Sequence, residues 1–408
     1  MGKRKTCRPL TALSPASSSS HHIPSTVKLP SSLLHFLSLL PLHQLHHHLP
    51  QNPTFPPMGA PSAVAPALTL LLSLPLLYFF LLTPRQFPIP LSDELDDLSL
   101  FHKAIAMDSS RRSPHHLPAA KSHLSAPLRP PKIAFLFLTN SALHFAPLWE
   151  RFFSTAHPHR FNIYIHADPF ASLPPLRGVF RGRLIPAKRT HRSSATLISA
   201  ARRLLATAML DDPANAYFAL ISQHCIPLRS FNYLHTFLFD LSRLSPDLEF
   251  PSYIEILDNE STLWDRYNAR GKNVMPPEVH FHEFRVGSQF FVLARKHALM
   301  VIKDRRLWRK FKLPCINVES CYPEEHYFPT MLSMQDPHGC SHYTLTRVNW
   351  TDSVNGHPHT YRPPEISPQL IHRLRDSNST SSYMFARKFS PDCLNPLMDM
   401  ADSVIFKD

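Results

Sequence analysis

Glycine and cysteine are scarce in this sequence, and charge vanishes altogether over one long stretch. Only eight glycines occur in 408 residues, and none sits in a Gly-X-Gly-X-X-Gly or Walker arrangement. Gly271-Lys272-Asn273 lacks both the upstream glycine and the Ser or Thr that should follow. Close backbone approach to a pyrophosphate depends on those residues, so dinucleotide oxidoreductases and P-loop enzymes are disfavoured. The six cysteines show no Cys-X-X-Cys spacing, which argues against a structural zinc site. Between Lys28 and Arg85 there is no Asp, Glu, Lys or Arg.

Inside that uncharged stretch, residues 63–82 form a 20-residue apolar run, and roughly 20 apolar residues cross a bilayer core. The run ends in Tyr-Phe-Phe-Leu-Leu-Thr-Pro-Arg and not in the small residues of a cleavage site, so a retained anchor is expected at 63–83. Lys3, Arg4, Lys5, Arg8 and Lys28 precede it, and Arg85 alone follows closely, ahead of Asp93, Glu94, Asp96 and Asp97. That asymmetry predicts a cytosolic N-terminus and a lumenal remainder. Asn259, Asn349 and Asn378 each open an Asn-X-Ser/Thr glycosylation acceptor beyond the span, which agrees with a lumenal side. Cys225, Cys315, Cys321, Cys340 and Cys393 also follow it. Five is odd, so at least one thiol stays free or pairs between chains.

Residues 1–131 hold 20 of the 42 prolines. The organisation expected is a disordered cytosolic tail at 1–62, the anchor at 63–83, a stem at 84–130 and a folded lumenal domain at 131–408. The net charge of +13 would suit nucleic acid, but a lumenal domain has no such partner. Handling anionic phosphates or glycans accounts for it better.

From residue 131 the pattern alternates. Lys132–Thr139 reads as a buried strand, 143–153 as a helix and 161–166 as a second strand. Ser193 or Ser194 caps a helix with Leu197, Ile198, Ala201, Leu204, Leu205, Ala208 and Met209 on its apolar face, Arg202 and Arg203 pointing away. Strands at 217–221, 253–257 and 289–293 and a helix through 234–241 complete an α/β fold. It is expected to be a mixed, mostly parallel sheet flanked by helices, with its ligand cleft at the carboxyl ends of the strands. The strand ends His166-Ala-Asp168 and Ser222-Gln-His-Cys225 are polar. They either line a nucleotide pocket or serve as turn and cap residues.

Cys321-Tyr-Pro-Glu-Glu-His-Tyr327 sets Glu324 and Glu325 in the first turn of a helix, just after a proline that suits that turn. Unpaired amides there favour an ionised carboxylate, which can accept a proton from a hydroxyl. The plainer alternative is that both acids only complement the helix dipole.

Several ordered blocks together resemble the plant branch of the Core-2/I-branching glycosyltransferases, family 14. They are Ala134-Phe-Leu-Phe-Leu-Thr139, Ala146-Pro-Leu-Trp-Glu-Arg-Phe-Phe153, Tyr164-Ile-His166, Ala201-Arg-Arg-Leu-Leu205 and Cys225-Ile-Pro-Leu228. Arg285-Val-Gly-Ser-Gln-Phe290, Pro323-Glu-Glu-His-Tyr327 and Phe385-Ala-Arg-Lys-Phe-Ser-Pro391 continue the series, which spans about 132–395. The resemblance implies a GT-A-like fold behind a single N-terminal transmembrane helix in the Golgi membrane. It implies inverting transfer from a UDP-sugar to a glycan or glycoprotein acceptor without a metal or other cofactor. Glu325 is then the general base, with Glu324 as a neighbouring acid, and His166, Asp168, Arg387 and Lys388 bind the donor. Glu255, Trp264 and Arg266 fall where the family binds acceptor sugars. A second diphosphate cation has no clean match, though Arg347, Arg362 and Arg373 are near. Thr190-His-Arg-Ser-Ser194 replaces the usual Trp-Gly, so a catalytically silent member that binds glycans or scaffolds other transferases is the alternative.

Overall fold

The computed structural model describes residue 73 and residues 91–112, 130–240, 250–351, 353, 356–376 and 383–408. The apolar run at 63–82 lies outside these apart from Ser73, and Asn378 lies outside them too. Among the described residues no helix is long and apolar enough to cross a membrane. All described elements belong to the compact unit Pro84–Asp408.

In chain order they begin with α1 (Leu91–Arg112), β1 (Lys132–Thr139), α2 (Ala146–Ser154), β2 (Phe161–Ala167), α3 (Ala195–Asp211) and β3 (Asn215–Ser222). Then come β4 (Ile226–Pro227), α4 (Phe231–Phe239), α5 (Leu263–Tyr267), β5 (Val292–Ala294), α6 (Arg295–Lys303) and α7 (Arg306–Phe311). The last are α8 (Pro323–Gln335), β6 (Thr346–Val348), α9 (Pro368–Arg375), β7 (Phe385–Arg387) and α10 (Leu394–Asp399), with short 3-10 turns between them.

β1 is buried from its second residue onward. A continuous apolar run has no face for water, so it needs a strand on each side and cover above and below. The main sheet supplies both, in the order β2-β1-β3-β5. β2 and β3 run parallel to β1, and β5 runs antiparallel to β3. Ile133, Phe135 and Phe137 share one face, against Trp149, Phe152 and Phe153 of α2. Phe135 meets Phe153 at 4.9 Å and Phe137 meets Trp149 at 5.3 Å, both edge-on. Ala134, Leu136 and Leu138 occupy the other face, under Ile198, Ala201, Leu204 and Leu205 of α3. Each buried Phe or Leu contributes about 1.5–3 kcal/mol, so the centre of the sheet is a rigid platform. The mostly parallel α/β sheet expected from the sequence is present.

Three details differ from the sequence reading. At 253–257 there is no strand, only single bridges from Tyr253 to Val292 and from Leu257 to Val286. β5 begins at Val292 instead of Gln289. Most consequential, Arg202 and Arg203 do not point to solvent: they are 1% and 5% exposed. The cause is α1, which lies in the segment read as a stem. Asp97 of α1 takes both Arg203 Nε and Nη2, at 2.6 and 2.9 Å. The Arg202 guanidinium lies 4.8 Å from the Phe101 ring of α1 and 5.1 Å from Trp308, and donates to the Asp304 carbonyl at 2.6 Å. Asp108 of α1 pairs with Arg295 at 2.9 Å. The folded body therefore includes Leu91–Arg112.

A second sheet, in the order β4-β7-β6, has β6 parallel and β4 antiparallel to β7. Its middle strand ends in Arg387, with Lys388 next, beside the carboxyl ends of β1 and β3.

Candidate active site

A cleft of about 280 Å³ opens where those ends meet. Thr139 ends β1 and Asn140 follows it, Ser222 ends β3 with Gln223 and His224 after it, Arg387 ends β7 with Lys388 after it, and Glu324 and Glu325 come from the first turn of α8. Tyr322 and Trp350 add aromatic surface. Trp350 is 52% exposed, free to stack on a ring.

Three cations meet at this cleft: Arg387, Lys388 and Arg192. The Arg387 guanidinium lies 4.3 Å from the Phe290 ring, and its buried Nε has no partner among the described residues. Burial lowers the pKa of Lys388, and the nearby charges of Arg387 and Arg192 lower it further. Burial lowers that of Arg387 as well. Arg192 donates to the Gly356 carbonyl at 3.2 Å and contacts His357 Nε2 at 2.6 Å. That separation fits a neutral imidazole accepting the guanidinium proton. Among the described residues none of the three cations pairs with a carboxylate. Repelling cations left without a counterion form a site for an anion. Burial above all, with Lys388 next, holds the pKa of His224 down at about 4, so its imidazole is neutral beside them.

The carboxylates arrive on α8. Tyr322, just before Pro323, has φ +37°, and Ser193 has φ +55°. Left-handed backbone at non-glycine residues costs about 1–3 kcal/mol each and gathers at functional sites; these two meet at Glu324. Ser193 N–H donates to Glu324 Oε1 at 3.1 Å. Glu325 Oε2 accepts from Arg266 Nη1 at 2.9 Å. His326 faces the other way: it is fully buried, stacks on Phe284 at 4.6 Å and donates from Nδ1 to the Arg285 carbonyl at 2.8 Å. Burial first of all lowers its pKa to about 3, so it packs the helix and carries no charge. A disulfide between Cys315 and Cys321 closes the chain immediately ahead of Tyr322. Cys225, Cys340 and Cys393 are buried and form no disulfide among the described residues.

Gly287 N–H donates to the Glu325 carbonyl at 2.9 Å. A Cβ at Gly287 would collide with the Glu255 carbonyl and meet Pro329. Gly287→Ala is therefore expected to push the first turn of α8 aside. A displacement of about 1 Å costs on the order of 10²-fold in turnover, to be read as kcat beside a melting curve. Full activity at an unchanged melting temperature would contradict the assignment.

Of the residues singled out in the sequence, Glu324, Glu325, Arg387 and Lys388 line one cleft, and Arg266 reaches it through Glu325. Glu255 stands just behind. Burial raises its pKa, against a hydrogen bond from the Ser288 amide, and the charge of Glu325 adds to the rise. Trp264 lies outside the cleft lining, stacked on Tyr267 at 6.0 Å and edge-on to Phe281 at 4.8 Å. His166 is fully buried, with Nε2 3.3 Å from both the Lys188 amide and Arg203 Nη1. Asp168 accepts from Thr190 N at 2.6 Å, Thr190 Oγ1 at 2.8 Å and Phe170 N at 2.9 Å. Burial works against its ionisation, yet these bonds hold its pKa low. Neither His166 nor Asp168 lines the cleft, but Asp168 fixes the loop that presents Arg192. Arg347 donates to the Asp376 carbonyl. Arg192, inside the segment that departs from the family pattern, is the cation the sequence reading passed over. Asn259 is exposed, whereas Asn349 is half-buried and accepts from the Thr351 amide at 3.0 Å.

Side-chain cations and paired carboxylates at the carboxyl edge of such a sheet suit a transferase that handles a phosphorylated sugar. Residues 133–375 match the Core-2/I-Branching enzyme family, and the chain belongs to this family of glycosyltransferases. It is 28% identical to "Glycosyltransferase BC10" of Oryza sativa subsp. japonica over 332 residues, covering 68% of this chain and 78% of the relative.

Proposed function

We propose that the protein is an inverting glycosyltransferase that moves a sugar from a UDP-sugar to a hydroxyl of a glycan or glycoprotein. Glu325 takes the acceptor proton, and Arg192, Arg387 and Lys388 hold the departing diphosphate without a metal ion. One observation carries this reading: three cations without carboxylate partners share a cleft with a carboxylate that keeps one oxygen clear of its arginine. Negative charge grows on a phosphate oxygen as the glycosidic bond breaks, and preorganised cations stabilise it there. The acceptor hydroxyl loses its proton in the same step, which a positioned carboxylate assists. Family membership and the name of the rice relative support the reaction class. Trp350 and Tyr322 offer faces for a uracil or pyranose ring, and Glu255, Arg266 and Trp264 flank the acceptor side.

Placement in the Golgi membrane as a type II single-pass protein belongs to the same reading. Its support is the apolar run at 63–82 and the Cys315–Cys321 bridge, of a kind that persists in oxidising compartments.

The test is an assay of the purified full chain against UDP-N-acetylglucosamine, UDP-xylose and UDP-glucuronic acid with EDTA present. One donor should be turned over at a rate that EDTA leaves unchanged. Turnover restored only by added manganese would reject the metal-free site. Binding of glycans without turnover of any donor would favour the catalytically silent alternative.

A further inference from the structure

Glu324 has a chemistry that proton abstraction by Glu325 and phosphate binding leave unused. It lines the cleft but is only 5% exposed. Oε1 accepts from the Ser193 amide at 3.1 Å, while Oε2 is buried without a hydrogen-bond partner among the described residues. The charged groups near it come from three directions. Glu325 is the next residue of α8, Arg192 adjoins Ser193 on the loop before α3, and Arg270 follows α5. Arg192 is engaged by Gly356 and His357, and Arg270 donates to the Phe311 carbonyl at 3.1 Å. Farther round the cleft stand Arg387 and Lys388. Among the described residues no cation forms an ion pair with Glu324. Its own amide and that of Ser193 favour the ionised form, but a carboxyl group this deeply buried, with an anion beside it and no ion-pair partner, is more stable neutral. Burial above all, together with the charge of Glu325, raises its pKa to about 8.

The site's layout decides what the proton does. The transferred sugar must lie between the leaving diphosphate and the base, and Glu324 is bonded to the neighbour of Arg192 on one side and joined to Glu325 on the other. Building on the function proposed above, we propose that Glu324 stays protonated and donates a hydrogen bond from its carboxyl group, on the side that lines the cleft, to an oxygen of the transferred sugar. Ionising it then weakens the grip on the sugar and leaves the grip on the diphosphate intact. Because the folded value is raised, the proton is present below about pH 8 and lost above it. Sugar recognition therefore fades as pH rises through that value.

The experiment is calorimetric titration of the full chain with UDP and, separately, with UDP-N-acetylglucosamine, UDP-xylose and UDP-glucuronic acid. The quantity read is the ratio of the UDP Kd to the Kd of the tightest-binding UDP-sugar. In the unaltered protein this ratio should fall about fivefold between about pH 7.5 and about pH 9.5, a window above the last ionisation of the free UDP phosphate, most of the worth of one hydrogen bond. Glu324→Gln offers an amide donor that does not titrate and should hold the ratio constant over the same range, which a purely structural role would not do. A constant ratio in the unaltered protein overturns the proposal without any variant having to fold. So does a Glu324→Gln protein that keeps the alkaline fall, and in both cases UDP binding shows the nucleotide site to be sound. Failure to bind UDP at any pH instead overturns the nucleotide reading, and this proposal with it.

Discussion

With Glu325 as the proposed general base, Glu325→Gln is expected to lower kcat by about 10²- to 10⁴-fold, the usual worth of such a group, while the Kd for UDP stays within about twofold. The amide keeps the shape of the side chain, and its oxygen can still accept from Arg266, so the packing of α8 is preserved. What disappears is the only change of consequence: an oxygen basic enough to receive the acceptor proton. Because the loss falls on a step after binding, kcat and kcat/KM drop together and KM changes little. Initial rates at saturating donor, with calorimetry for UDP, provide the check. Undiminished turnover in the variant would remove Glu325 from the chemistry.

The second large effect lies far from the cleft. Asp97→Ala leaves Arg203, 5% exposed, buried without its partner, and breaking a buried pair in this way costs about 3–5 kcal/mol. Urea unfolding of the full chain measures it. A chain starting at residue 131 loses more, because Asp108, the partner of Arg295, and the Phe101 face over Arg202 go as well. Such a chain is expected to aggregate, whereas one starting at residue 84 stays soluble. If Asp97→Ala costs less than about 0.5 kcal/mol, the range of an ordinary surface change, α1 is an ornament on the domain and not a part of its core.

β1, β2, the Ser194 cap of α3 and the start of α8 were all legible, because each depends on its own residues. An uninterrupted KIAFLFLT run demands a central strand, and a proline followed by two acids marks a helix start. The helix start alone marks Glu324 and Glu325, whereas the expectation that Lys388 shares a cleft with Glu325, as it does, comes from block resemblance, which carries spatial information that local spacing lacks. α1 was missed because LSDELDDLSLFHKAIAMDSSRR is polar on most of its surface and lies among prolines. Its stability comes from arginines about 100 and 190 positions later in the chain. The same long reach hid the burial of Arg202 and Arg203, since no periodicity announces that a cation will be sandwiched between rings. Arg192 and Trp350 sit in loops, where only the fold decides which side chains face the cleft.

The Cys315–Cys321 bridge governs where the protein can be made well. It ties off the chain one residue ahead of Tyr322, the left-handed step from which the helix bearing Glu324 and Glu325 departs. A bacterial cytosol, kept reducing, would deliver this chain with that knot undone and its chemical end loosely moored. Host cells that oxidise thiols during secretion are the natural source of material for every assay above.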